Sequence, residues 1–77
     1  MVRLFVREVA ERQGLNMSQL QRKALLPMST AQRYWHGVGA DGRPLTSIDL
    51  RHVDTLCQVL NCDVGELLRR VVPEAQP

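Results

Sequence analysis

The segment spanning residues 16–37, NMSQLQRKALLPMSTAQRYWHG, constrains this chain more than any other, because it reads as two short helices joined by a tight turn. Asn16 can cap the first helix with its side-chain oxygen, and Gln19 three residues on can reach back to the cap's N–H. Leu20 and Ala24 then share one face. Pro27 lacks the N–H that a helix start does not need and holds φ near the helical value, so a second helix is expected to open at Pro27 or Met28 and to run to His36. Gly37 stops it. Leu25 and Leu26 are expected to fill the turn and anchor it to the core.

With 77 residues the chain is one small domain, long enough for a compact helical core and too short for a catalytic cleft with its own supporting shells. No apolar run approaches the ~20 residues needed to cross a bilayer. The opening VRLFVREVAE interleaves charges where a secretory leader would be uninterrupted, so a cytoplasmic address is expected. The net charge of +2 is unevenly spread. Up to Arg43 there are seven cations (Arg3, Arg7, Arg12, Arg22, Lys23, Arg33, Arg43) against Glu8, Glu11 and Asp41, whereas from Pro44 onward three arginines face five acids. The basic part holds the two-helix segment, as suits a domain presenting one end to a polyanion.

The rest of the chain is expected to be helical too. Residues 2–6 alternate, with Val2, Leu4 and Val6 on one side and Arg3 and Phe5 on the other, which predicts a short extended arm with Phe5 outward. Val6, Val9 and Ala10 follow helical spacing until Gly14. Residues 37–44, GVGADGRP, form a loop whose Asp41-Gly42 can tip a tiny hairpin. Asp49 can cap a helix in which Leu50, Val53, Leu56, Cys57 and Leu60 recur at three- and four-residue spacing. Asp63 and Glu66 are spaced as a second capping box, ahead of Val64, Leu67, Leu68 and Val71 in a fifth helix halted before Pro73. The expected architecture is all-α: a compact five-helix domain over residues 1–73 with an extended N-terminal arm and a frayed tail at 74–77.

This order of elements, a helix-turn-helix followed by an amphipathic helix and LNCDVGELL, resembles the Xre or lambda-repressor-like (Cro/C1-type) helix-turn-helix family over residues 2–73, in its small single-domain regulators. The resemblance implies sequence-specific binding of double-stranded DNA in transcription regulation, as a repressor, with helix 28–36 in the major groove. It implies base contacts from Met28, Ser29, Gln32 and Arg33, and backbone contacts from Asn16, Met17, Thr30, His36 and Arg43. Ala31 and Tyr34 match inward positions. It also places dimer contacts on the fifth helix, at Leu68, Val71 and Val72; the alternation of arm residues 2–5, with Phe5 outward, offers strand pairing between two chains as the alternative surface of a homodimer. The family usually has Gly where Leu25 stands, so here Pro27 and packing must shape the turn. Trp35 stands where the family carries a polar or aliphatic residue.

The residue types agree with that role. Arg33 can donate a bidentate pair to guanine, Gln32 can pair with adenine, and Met28 or Thr30 can pack on a thymine methyl. A solvated polar face is the plainer alternative for the same residues. Trp35 reads as a core-edge residue rather than a stacking platform. Arg69 and Arg70 read as a solvated helix end, His36 as a helix-end residue and His52 as a helix-surface residue. Cys57 and Cys62 lack the partners of a zinc site and read as buried, chemically idle thiols, so no metal and no cofactor is expected. The second function class is a protein-interaction module of the same fold, antitoxin-like or an anti-repressor partner, favoured slightly by Phe5 and Trp35. An enzyme comes last, since no nucleophile, base or phosphate-cradling loop has the necessary spacing.

Overall fold

The computed structural model describes residues 2–72. In chain order the elements are β1 (Val2–Leu4), α1 (Val6–Arg12), α2 (Met17–Ala24), α3 (Met28–His36), α4 (Leu50–Leu60), α5 (Val64–Leu67) and β2 (Leu68–Arg70). The five expected helices are present, and the core gathers one stripe from each: Val6, Val9 and Ala10 from α1, Leu20 and Ala24 from α2, Ala31 and Tyr34 from α3, Leu56 and Leu60 from α4, and Leu67 from α5. Trp35 packs half-buried against this cluster, at the core edge.

Local chemistry sets the helix starts. Asn16 accepts from the Gln19 N–H at 2.8 Å while Gln19 Oε1 accepts from the Asn16 N–H at 2.9 Å, and Asp63 with Glu66 closes a second capping box. Asp49 accepts from the Arg51 N–H at the start of α4.

The helix ends share one device. After each of α1, α2 and α4 a residue turns left-handed (Gly14, Leu25 and Asn61), and the next residue donates its N–H back five positions: Leu15 to Ala10, Leu26 to Gln21, Cys62 to Cys57. Gly37 turns the same way after α3, and Val38 donates to the Arg33 carbonyl. This is the Schellman pattern, in which an apolar residue just past the turn folds back onto the last helical turn. Leu15, Leu26, Val38 and Cys62 are the apolar residues concerned, all buried or half-buried.

The all-α expectation needs correction at both ends of the domain. The arm is a strand, and it pairs antiparallel with β2 in the register Val2 to Arg70, Arg3 to Arg69 and Leu4 to Leu68. Helix five therefore ends at Leu67, four residues earlier than the apolar spacing implied. A four-residue helix gains little from its own hydrogen bonds, and Pro73 disfavours helix at Val72. Pairing with β1 satisfies the backbone instead and sets Leu4 against Leu68. Leu68, Val71 and Val72 accordingly lie on or after a strand, not on a helix face. Arg69 and Arg70 are strand residues rather than a helix end. The tail expected to fray, residues 74–77, lies outside the described residues, as does Pro73.

Candidate nucleic-acid interface

The geometry of α3 begins in the turn before it. Leu25 adopts φ 56° and ψ 40° with its side chain 87 % exposed, while Leu26 is buried. Only Leu26 anchors the turn, so the joint anchoring expected of both leucines is corrected. Gln21 Nε2 donates to the Leu26 carbonyl at 2.7 Å and ties the turn back to α2. Pro27 then precedes α3 in an extended conformation, with φ −58°.

These constraints present α3 with its polar side outward. Met28, Ser29, Gln32, Arg33 and His36 are exposed, and Ala31 and Tyr34 are buried. Ser29, Gln32, Arg33 and His36 border one shallow concavity with Val38, Gly39 and Ala40 of the following loop. Asn16 is exposed and Met17 half-buried at the start of α2. The Asn16 oxygen is engaged in the cap, which leaves its amide N–H groups as the donors available to a ligand.

The loop after α3 is the tiny hairpin that Asp41-Gly42 suggested. Val38 bridges Pro44, the Gly42 N–H donates to the Gly39 carbonyl at 3.0 Å, and the Gly39 N–H donates to the Arg43 carbonyl at 2.8 Å. Gly42, with φ 79°, supplies the left-handed residue that such a three-residue connection needs. Arg43 stands exposed at its base, its N–H held by Asp41 Oδ1.

A family model described as the Cro/C1-type HTH DNA-binding domain matches residues 6–73. The chain belongs to that family. No curated protein and no solved structure matches it significantly.

Within this Cro/C1-type domain, several assignments made from sequence change. Thr30, expected to touch the DNA backbone, is buried with 7 % exposure, and Arg33 Nη2 donates to its hydroxyl at 3.4 Å. Its position one turn before Arg33 puts it under the guanidinium rather than at the surface. Phe5 is not outward but half-buried, with the Arg69 guanidinium 3.9 Å from the ring centroid. His52 is not a plain surface residue either. Its Nδ1 shares a 2.7 Å hydrogen bond with the Tyr34 hydroxyl, joining the inward side of α3 to α4. No sequence signal marked that pair, since 18 residues separate the partners. Leu50, read as part of the apolar stripe of α4, is 77 % exposed.

The thiols are half-buried rather than fully buried, and they meet across the Schellman turn that ends α4. Burial is the main force pushing the Cys62 thiol up to about 11, with Cys57 beside it adding to the shift. Cys57 is raised as well, again chiefly by burial. Among the described residues no group of three or more His, Cys, Asp or Glu is gathered as metal donors, and no helix is long and apolar enough to cross a membrane.

Proposed function

We propose that the protein is a sequence-specific double-stranded DNA-binding regulator of transcription, a repressor, with α3 in the major groove. One observation carries this reading: the four side chains suited to base edges, Met28, Ser29, Gln32 and Arg33, are all exposed on α3 while the intervening Ala31 and Tyr34 fix that helix to the core. Arg33 is the principal reader, its guanidinium leaning on Thr30 Oγ1 and so restricted before it meets a base. Thr30 acts through Arg33 and does not contact the nucleic acid itself. Asn16, the first-turn N–H groups of Met17 and Ser18, His36 and Arg43 supply the backbone contacts. The working place of such a protein is the cytoplasm.

The functional form is a homodimer on two half-sites about one helical turn apart, because a module of this size buries only about 600–1,000 Å² against DNA. Its contact surface involves the C-terminal residues after α5, where Val72 is 61 % exposed and Leu68 and Val71 are half-buried.

Selection of bound fragments followed by gel shift at two salt concentrations tests the reading, since phosphate neutralisation makes affinity fall steeply with salt. Arg33→Ala should cost about 1–3 kcal/mol on the selected site and relax preference at one base pair. Equal weakening on selected and random DNA removes Arg33 from the base-reading role. Sedimentation at micromolar concentration tests the dimer: Val72→Asp should yield monomer, and a wild-type monomer protecting one undivided half-site excludes it.

A further inference from the structure

The β1–β2 ribbon carries cations that the helix-turn-helix does not use. Its register sets Arg3 directly opposite Arg69, and like charges in that position repel. Both guanidiniums nevertheless gather on one ring, with Arg69 Cζ 3.9 Å and Arg3 Cζ 5.6 Å from the Phe5 centroid. Phe5 is itself fixed, because its N–H donates to the Leu67 carbonyl at 2.7 Å and α1 begins at the next residue. Among the described residues no carboxylate lies within ion-pair distance of Arg3 or Arg69, whereas Arg7, Arg12 and Arg51 each have one.

Stacking on an aromatic ring restricts an arginine without using its N–H donors, which stay free for an oxyanion. Two such forks held side by side, with no carboxylate among the described residues paired to either, match phosphate oxygens better than any neutral partner. The ribbon is also close to the reader helix. Val2, Arg3, Leu4 and Leu68 line a cavity of ≈ 330 Å³ together with His36, at the end of α3, and residues 44–48.

We propose that Arg3 and Arg69, organised on Phe5, bind backbone phosphates of duplex DNA beyond the base pairs that α3 reads. This inference rests on the DNA-binding reading above. The ribbon contributes affinity and salt dependence without sequence preference, because phosphates carry no base identity.

The test compares equilibrium binding to one selected duplex over a fourfold range of salt. For Arg3→Gln/Arg69→Gln the salt slope should be shallower by about two phosphate contacts, so that wild type loses about tenfold more affinity than the variant across that range. Arg3→Lys/Arg69→Lys should restore most of the slope, since lysine keeps the charge. Arg7→Gln/Arg12→Gln, which removes two cations already paired with acids, should leave the slope as in wild type. Base preference should stay intact in all three. Thermal unfolding checks folding, and the single Arg69→Gln variant, expected to lose about one contact, serves if the double variant does not fold. An unchanged slope in Arg3→Gln/Arg69→Gln overturns the proposal, as does an equal change in Arg7→Gln/Arg12→Gln, which would signify bulk charge only. A variant with unchanged slope that alters the sedimentation of the free protein assigns the pair to a protein contact and overturns it too. If Arg33→Ala relaxes base preference while the ribbon variants change nothing, only this inference fails; if wild type binds no duplex, both readings fail.

Discussion

Replacing Leu25 by glycine should stabilise this protein even though a leucine is lost. Leu25 holds φ 56° between α2 and α3, a conformation that costs a residue with a β-carbon about 1–2 kcal/mol. Its side chain is 87 % exposed, so the contact given up is about an eighth of a full leucine burial, about 0.2–0.4 kcal/mol. Glycine adds chain entropy to the unfolded state, a further cost of about 0.5–1 kcal/mol. Taking the middle of each range leaves a net gain of about 0.5 kcal/mol, or about 2–4 °C in melting temperature for a domain of this size. The neighbouring Leu26→Ala should lose about 2–5 kcal/mol, because Leu26 is only 5 % exposed and is the residue that holds the turn to the core. Urea unfolding followed by circular dichroism measures both, with an unchanged m-value showing that the compared states are the same. A loss of about 1 kcal/mol or more in Leu25→Gly would refute the reasoning, since it would mean that the Leu25 side chain bears load or that the turn is not left-handed there.

Acid titration should find Asp49 well below the ordinary carboxylate range, at about 2 against the usual 3.8, because the Arg51 side chain and N–H both donate to it. The stabilisation from this cap is therefore present above 3.8 and is lost as pH falls towards about 2; carboxyl-carbon NMR of Arg51→Ala should show the midpoint moved part of the way back to 3.8, and an unmoved midpoint would exclude the Arg51 side chain as a cause. The thiol of Cys62, pushed up to about 11, should alkylate slowly in the folded protein at mildly alkaline pH and quickly once unfolded in urea. Equal rates in the two states would show the thiol to be open to solvent. Wild type and Cys57→Ala/Cys62→Ala should both bind DNA indifferently to reductant, and a redox-dependent affinity confined to wild type would make the thiols functional.

The parts of the fold legible in sequence are those that neighbouring residues settle among themselves. The Asn16 and Asp63 capping boxes close over three residues, and the Gly42 turn closes over four, so residue type and spacing are the whole of the cause. The outward placement of Met28, Ser29, Gln32 and Arg33 is implied by the family resemblance, which puts Ala31 and Tyr34 inward, and these residues are exposed and buried accordingly. Glycine announces the left-handed stops at Gly14 and Gly37, whereas no glycine marks those at Leu25 and Asn61.

Tertiary structure decided what those residues could not settle locally. Leu25 turns left-handed because Leu26, the next residue, docks into a core built from all five helices, and that docking outweighs the local cost of the conformation. Residues 68–70 continue the apolar spacing of a helix, yet they extend because β1, more than sixty positions earlier in the sequence, offers them a strand partner and a place for Leu68 beside Leu4. Spacing along the chain holds no record of so distant a partner. The same holds for the Tyr34 hydroxyl on His52 and for the two arginines gathered on Phe5. The sequence by itself determined the helices, their caps and the face that α3 shows to solvent; packing determined where the chain leaves helix, which side chains sink beneath that face, and which cations end up side by side, because each of these depends on surfaces that exist only once distant segments have met.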